Sequence, residues 1–437
     1  MKITVIGCGY LGATHAASMA ELGHEVLGVE VDPTKLASLQ AGTTPFYEPG
    51  LDELLGKHVT AGGLRFTDSI EEAGAFADLH FVCVGTPQLG SSLGADTSYV
   101  ETAVRSLAPH LTRPAYVVGK STVPVGTAAR MAGLLSELSP VGGDAELVWN
   151  PEFLREGFAV KDTLEPDRIV LGVASERAEQ ALREFYAPMA SAGTPFVVTD
   201  YATAELVKVS ANAFLATKIS FINAVGEVCD AAGADVVALA DAIGHDARIG
   251  RRFLNAGIGF GGGCLPKDIR AFVHRAGELG VEDAMSFLRQ VDDINQRQRQ
   301  RVTAIVKAMV GGSVAGVRVG VWGAAFKPDS DDVRDSPALD IAGRLHLRGA
   351  HVSVYDPKAA LTAAARFPTL VYTDSAVDAA RGADVLLHLT EWPEFRTVSP
   401  DEVGSVMAHR RLLDGRNLLD LPSWRAAGFE ARGLGRA

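Results

Sequence analysis

The sequence has no cysteine pair at CxxC spacing, no excess of basic charge and no long uninterrupted apolar run. Each absence removes a class of function. Cys8, Cys83, Cys229 and Cys264 are scattered without zinc-ligand spacing, so neither a disulfide framework nor a structural metal is expected. Lys and Arg number 41 against 53 Asp and Glu, a formal net charge of −12. An acidic surface repels phosphate backbones and anionic lipid, which argues against nucleic-acid and membrane-surface binding. A membrane span needs about 18 consecutive apolar residues, and the sequence has no such run. The opening MKITVIGCGYLG has glycines where a signal peptide needs a continuous apolar core. The expectation is a soluble, reduced, cytoplasmic protein in which an unusual cysteine is a reactive thiol.

What is present is the composition of a packed globular protein, with 437 residues, 47% hydrophobic and 22% charged. At roughly 150 residues per domain this length gives about two to four domains. Lys2–Ile6 is a short β-branched run, Leu11–Leu22 reads as helix and His24–Glu30 as another strand. Leu79–Val84 and Ala115–Gly119 read as strands that end in Gly85-Thr86-Pro87 and Lys120-Ser121-Thr122-Val123-Pro124. Leu147–Trp149 is one more, running into Asn150-Pro151-Glu152-Phe153-Leu154-Arg155-Glu156-Gly157. Alternating β and α elements of this length predict a mostly parallel sheet covered on both faces.

From Thr203 to Ala232 the pattern becomes one long helix, with Ala204, Val207, Ala211, Leu215, Ile219 and Ile222 at helical spacing and no proline. About 30 helical residues span about 45 Å, more than one small domain needs. Such a helix is expected to link two lobes or to pack against a second subunit. The chain reads as helical to about Gln300, broken by a glycine-rich loop at Gly257–Gly263. At Arg318 the opening layout repeats: a strand, a turn at Gly323, a helix, then the strand His351–Tyr355 ending at Asp356, with Ala383–Leu389 as a further strand. The expected fold is α/β, two Rossmann-like doubly wound domains joined by a central helical domain with one long helix. The boundaries are set at 1–199, 200–305 and 306–437.

Gly7-Cys8-Gly9-Tyr10-Leu11-Gly12 follows a strand and opens a helix. Glycines there permit a tight turn and let backbone N–H groups and the helix N-terminus approach a pyrophosphate. Glu30 ends the next strand, where a carboxylate accepts hydrogen bonds from the ribose hydroxyls. It repels a 2′-phosphate and so favours NAD over NADP; Lys35 softens that repulsion. Cys264 sits in Gly259-Phe260-Gly261-Gly262-Gly263-Cys264-Leu265-Pro266-Lys267-Asp268. Three consecutive glycines allow close backbone approach to a ligand. Pro266 suits the first turn of a helix and places the thiol at its positive end. That placement, with Lys267 nearby, stabilises the thiolate, which is the nucleophile. Cys8, Cys83 and Cys229 read as apolar fillers. Lys208 and Asn212 stand four apart on one helix face, and by spacing alone such a pair ordinarily faces solvent. By the same reasoning Glu152 and Glu156 are two exposed acids on a first helical turn.

Together these strings resemble the nucleotide-sugar 6-dehydrogenase family over essentially the whole chain. The marks are Gly7–Gly12, Lys-Ser-Thr-Val-Pro at 120–124, Asn-Pro-Glu-Phe-Leu-Arg-Glu-Gly at 150–157, Lys208 with Asn212, the cysteine loop at 259–268 and Phe-Lys-Pro-Asp at 326–329. The resemblance implies an NAD domain, a central dimerisation domain and a C-terminal nucleotide-sugar domain, in a homodimer. Carried over, Cys264 is the catalytic thiol, and Glu30, Lys35, Thr86, Thr122, Glu156, Lys267 and Arg334 contact NAD beside the Gly7–Gly12 turn. Glu152, Phe153, Leu154, Arg155, Glu156, Lys208, Asn212, Phe253, Leu254, Asn255, Ala256, Gly257, Gly261 and Lys327 hold the nucleotide sugar. Arg248 matches an arginine that reaches the partner subunit's substrate, and Arg416 another on the substrate side. Glu30 stands where many members have Asp, and Gly263 and Leu265 where others often have Ser and Phe, which alters the finer shape of the sugar pocket.

The implied chemistry is a four-electron oxidation at C6, with UDP-glucose as the favoured substrate and GDP-mannose or UDP-N-acetylmannosamine as alternatives. Cys264 adds to the aldehyde, the thiohemiacetal is oxidised to a thioester, and water hydrolyses it. Lys208 and Asn212 stabilise oxyanion character, Glu152 is the candidate base, and Asp268 with Thr122 positions water or assists proton transfer. 6-Phosphogluconate and β-hydroxyacid dehydrogenases share the lysine and asparagine but make one hydride transfer and need no cysteine. A catalytically silent NAD-binding protein has no reason to keep Cys264, Lys208 and Glu152 together.

Overall fold

The computed structural model describes residues 1–90 and 92–436. They form two compact units, Met1–Ala211 with His274–Gly280 and Asn212–Val273 with Val281–Ala437.

The first unit is built on an eight-stranded sheet of β1 Lys2–Ile6, β2 Glu25–Val29, β3 Leu64–Thr67, β4 Leu79–Val82, β5 Ala115–Gly119, β6 Ala145–Trp149, β7 Ile169–Gly172 and β8 Phe196–Thr199. The order is β3-β2-β1-β4-β5-β6-β7-β8, parallel throughout except where β7 meets β6 antiparallel. Alternate residues of a strand point to opposite faces. Val118 and Val148 accordingly join one apolar cluster with Ile3, Val5 and Phe81, while Val117, Leu147 and Trp149 join the other with Ile6 and Met131. A fully buried side chain such as Phe81 contributes roughly 1.5–3 kcal/mol. Both faces are therefore covered, as the near-continuous apolar strands predict.

The second unit carries a six-stranded sheet of β9 Arg318–Trp322, β10 His351–Tyr355, β11 Val371–Tyr372, β12 Val385–His388, β13 Arg411–Asp414 and β14 Glu430–Gly433. Its order, β11-β10-β9-β12-β13-β14, repeats that of the first six strands of the larger sheet, and every pair is parallel. The doubly wound pattern read from the alternation is thus present twice.

The long helix runs from Tyr201 to Ala232. Beyond it the helical reading needs correction. The break between Val236–Gly244 and Leu265–Glu278 is longer than the glycine loop alone, and a second break precedes Phe287–Met309. Leu79–Val84 is also shorter than read, ending as a strand at Val82. Ala213, Ala216, Phe260, Ile269, Leu288 and Val291 close a small core of their own in this region. Among the described residues no helix is long and apolar enough to cross a membrane.

Candidate active site

In the first unit the turn after β1 gives its three glycines different tasks. Gly7 has φ +85° and packs against Val84, a left-handed conformation that disfavours any side chain. A Cβ at Gly9 would meet nothing within 4 Å, leaving the backbone open to a phosphate. At Gly12 a Cβ would overlap the Gly7 carbonyl oxygen, so only glycine lets the helix Tyr10–Glu21 start this close to the strand. Glu30 is buried, with Oε2 accepting from the Cys8 N–H at 3.2 Å and Oε1 from the Asp32 N–H at 2.9 Å. Its carboxylate is held beside the turn by two backbone donors, where the diol of an adenine ribose fits. Lys35 follows on the helix Pro33–Gln40, capped by Asp32. Leu11 is half-buried on the first helix, and the Tyr10 hydroxyl donates to Glu48. Burial and that hydrogen bond hold the Tyr10 proton on, far above the usual tyrosine range. These residues fit a dinucleotide.

Thr86 and Thr122 lie on loops at the ends of adjacent strands, and the Thr86 hydroxyl donates to the Thr122 carbonyl at 2.8 Å. The loop carrying Thr122 is tied down by Glu205, which accepts from the N–H groups of Gly126 at 2.7 Å and Ala128 at 2.6 Å.

The 150–157 segment is not a helical turn, which corrects the expectation for Glu152 and Glu156; the helix begins only at Ala159. Oε1 of Glu152 accepts from the N–H groups of Phe153 at 2.7 Å and Leu154 at 2.9 Å. A side chain that takes these donors competes with helix formation. Oε2 lies 3.2 Å from the ammonium of Lys120. Arg155 turns to Asp162, at 2.8 and 2.6 Å, and Glu156 is half-buried. Lys208 is half-buried too, its ammonium 5.4 Å from the centre of the Phe153 ring, so the freely solvated reading of this lysine does not hold.

In the second unit Cys264 is exposed at the start of the helix Leu265–Glu278, and its carbonyl accepts the first helical hydrogen bond, from the Asp268 N–H at 2.9 Å. Cys8, Cys83 and Cys229 are buried. Asp268, with a side chain only 2% exposed, takes the Lys267 ammonium on Oδ1 at 2.6 Å and the Asn212 amide on Oδ2 at 2.6 Å. Two expectations change. Asn212 is buried, not solvated, and the charge of Lys267 is engaged by its neighbouring carboxylate.

The glycine loop also differs from expectation. A Cβ at Gly261 would overlap the Asp335 carbonyl, one at Gly262 would meet the Phe326 ring at 2.8 Å, and one at Gly263 the Arg334 guanidinium at 2.5 Å. The close approach these glycines permit is to the protein's own chain. Arg416 braces the same region, donating to the carbonyls of Leu389, Gly259 and Phe326 at 2.8, 3.1 and 3.2 Å. Lys327 has its ammonium 5.6 Å from the centre of the Phe326 ring.

Along 253–257, Phe253 has φ +66°, Leu254 is buried, Asn255 accepts from Arg251, the Ala256 carbonyl accepts from Asn417, and the Gly257 N–H donates to Asn223 at 2.8 Å. Arg248 has its side chain 89% exposed and pairs with Asp246.

Sequence reasoning missed a buried network in the first unit. Lys120 donates to Asn150 Oδ1 at 3.0 Å, and Tyr186 donates to the same oxygen at 2.6 Å. Burial works against the Lys120 charge, but Tyr186, Glu152 and Cys83 beside it outweigh this and hold it above the ordinary lysine range. The one signal for it was its place at the end of a strand in the Lys-Ser-Thr-Val-Pro string. Among the described residues no cluster of three or more His, Cys, Asp or Glu is arranged for a metal.

Comparison with known proteins supplies the relatives. UDP-glucose 6-dehydrogenase of Rhizobium meliloti (strain 1021) is 40% identical over 441 residues, covering 100% of both chains. UDP-glucose 6-dehydrogenase TuaD of Bacillus subtilis (strain 168) is 40% identical over 437 residues, 100% of this chain and 93% of that one. The solved structure of a UDP-glucose dehydrogenase from the archaeon Pyrobaculum islandicum matches with a TM-score of 0.91 at 37% identity, covering 100% of this chain and 98% of that one. Family models for the NAD binding domain match residues 1–190, for the central domain 202–297 and for the UDP binding domain 320–421. Matched in all three of its parts, the chain belongs to the UDP-glucose/GDP-mannose dehydrogenase family.

Proposed function

We propose that this protein oxidises the C6 hydroxymethyl group of UDP-glucose to the carboxylate of UDP-glucuronate. The observation that carries this reading is full-length identity of 40% to relatives named for that activity. The exposed cysteine at a helix start agrees with it, since a thiol is what a four-electron oxidation needs beyond a simple alcohol dehydrogenase.

NAD, when bound at the Gly7–Gly12 turn and Glu30, accepts the hydrides. The rest is the work of the chain. Cys264 as thiolate adds to the C6 aldehyde and holds it covalently, first as thiohemiacetal and then as thioester. Lys208 supplies positive charge to the oxygen at C6. Asn212, its amide aimed by Asp268, donates to the same oxygen. Glu152 takes the proton of the water that hydrolyses the thioester, and the thiolate leaves. Asp268 with Thr122 positions this water or assists its proton transfer, and Arg248 serves the partner's substrate. The reading keeps the three-part division at 199 and 305; the gaps between the family matches, 190–202 and 297–320, support it, although the compact units part at 211–212.

The test is NADH formed per sugar consumed, with UDP-glucose, GDP-mannose and UDP-N-acetylmannosamine offered separately. UDP-glucose should give two NADH; one NADH, or a preference for another sugar, overturns the reading. Glu152→Gln should slow the final step by roughly 10²-fold or more and let a Cys264 adduct accumulate, visible by intact-protein mass.

The reading includes a cytoplasmic homodimer. Phe214, Phe221 and Val228 recur every seven residues on the long helix and are 65%, 53% and 65% exposed. An exposed apolar row of this kind is suited to a helix of a second copy. Sedimentation equilibrium should return the dimer mass, and a monomer at micromolar concentration refutes it.

A further inference from the structure

Lys120 carries no role in the chemistry above, yet it is one of the most deeply buried charges in the first unit, its side chain 5% exposed. An ammonium in that position is tolerated only where an opposite charge and hydrogen bonds compensate its lost hydration. Two partners do so. Asn150 turns its amide oxygen to Lys120 at 3.0 Å, and its own amide donates to the Val170 carbonyl at 2.8 Å, which fixes the side chain's orientation. The other partner is Oε2 of Glu152 at 3.2 Å.

We propose that Lys120 is a positioning residue for thioester hydrolysis, pinning the Glu152 carboxylate in the orientation from which it takes a proton from water. The proposal rests on the reading of Glu152 as the general base. The carboxylate is gripped from both sides, Oε1 by the backbone N–H groups of Phe153 and Leu154 and Oε2 by Lys120. With Oε1 taking two backbone donors and one lone-pair direction of Oε2 taken by the ammonium, the remaining Oε2 direction is the one left for water. The surroundings support a charge pair here. Burial pushes the Cys83 thiol and the Tyr186 hydroxyl up to about 12, and burial holds His15 well below the usual histidine range. These neighbours are neutral near pH 7, and the Lys120 ammonium answers the Glu152 carboxylate.

The experiment compares Lys120→Met, Glu152→Gln and the double variant in single-turnover reactions with UDP-glucose and NAD. The readouts are intact-protein mass and the rate of thioester loss. Lys120→Met should slow hydrolysis by about 10²-fold, accumulate the Cys264 adduct and leave KM for both substrates within about twofold. In the double variant the hydrolysis rate should equal that of Glu152→Gln, because residues that act as one unit are non-additive. The double variant also removes both buried charges, so it keeps the test open if Lys120→Met alone does not fold. A Lys120→Met enzyme with the parent hydrolysis rate overturns the proposal. So does a further tenfold loss in the double variant, which would mean that Lys120 acts independently of Glu152. Failure of the underlying reading shows separately: Glu152→Gln alone would then form no adduct, and the Lys120 assignment falls with it.

Discussion

Cys264→Ser should bind NAD as the parent does and fail to turn over, with a loss on the order of 10³-fold or more. The contrast follows from where the residue sits. Its carbonyl accepts the Asp268 N–H at the head of the helix Leu265–Glu278, and serine is a better residue than cysteine at that capping position. Folding should therefore be unchanged or slightly improved. The substitution alters neither the Gly7–Gly12 turn nor Glu30, which are proposed to hold the dinucleotide, so its affinity should be unchanged. What is lost is the nucleophile. A helix N-terminus can shift a thiol towards its thiolate near neutral pH, but a serine hydroxyl starts far too high for the same field to ionise it. The aldehyde is then not held covalently, and the second oxidation has no thiohemiacetal to act on. Isothermal titration with NAD and single-turnover NADH formation measure the two halves of this expectation. Turnover near the parent rate removes Cys264 from the mechanism.

The elements that were legible in the sequence are those whose determinants are local. β1, β5 and β10 have the bounds read from their β-branched runs, because glycine, proline or charge closes each one within a residue or two. The repeat of strand, glycine turn and helix at Arg318 foretold the second sheet, whose order matches the first six strands of the larger one. The antiparallel contact of β7 with β6 left no local mark.

The same limit governs the site. Glu30 and Asp356 occupy equivalent strand ends, and by pattern alone each could serve a dinucleotide. Glu30 takes two backbone donors, whereas Asp356 takes the N–H groups of Ala324, Ala325, Lys358 and Ala359 together with the Trp392 indole. A carboxylate already saturated in this way has no capacity left for a ribose, and only packing reveals it. The pairing of Lys120 with Glu152 spans a strand end and a distant loop, and that of Asn212 with Asp268 is equally non-local. Spacing alone left Glu152, Lys208 and Asn212 as ordinary surface residues, and only the family resemblance marked them. The partners that orient Glu152 and Asn212 came only from the fold.

Asp268→Asn should be the second severe variant, and for a different reason. The carboxylate is buried, with Lys267 on one oxygen and the Asn212 amide on the other, both at 2.6 Å. Asparagine keeps the shape but offers one acceptor and one donor where two acceptors are needed. Whichever way the amide turns, its NH₂ group faces either the Lys267 ammonium or the Asn212 amide, and the negative charge is gone. Breaking a buried ion pair costs about 3–5 kcal/mol. Lys267 is 18% exposed and recovers some hydration, which places the expected loss near the lower limit, about 3 kcal/mol. Activity should fall with it. Asn212 loses the group that aims its amide, and a misdirected oxyanion donor costs about 10²–10³-fold in kcat. KM for NAD should move little. Urea unfolding and steady-state kinetics on the same preparation separate the two effects. A variant that is destabilised yet retains the parent kcat would show that Asp268 only braces the loop, and that Asn212 needs no such support to act.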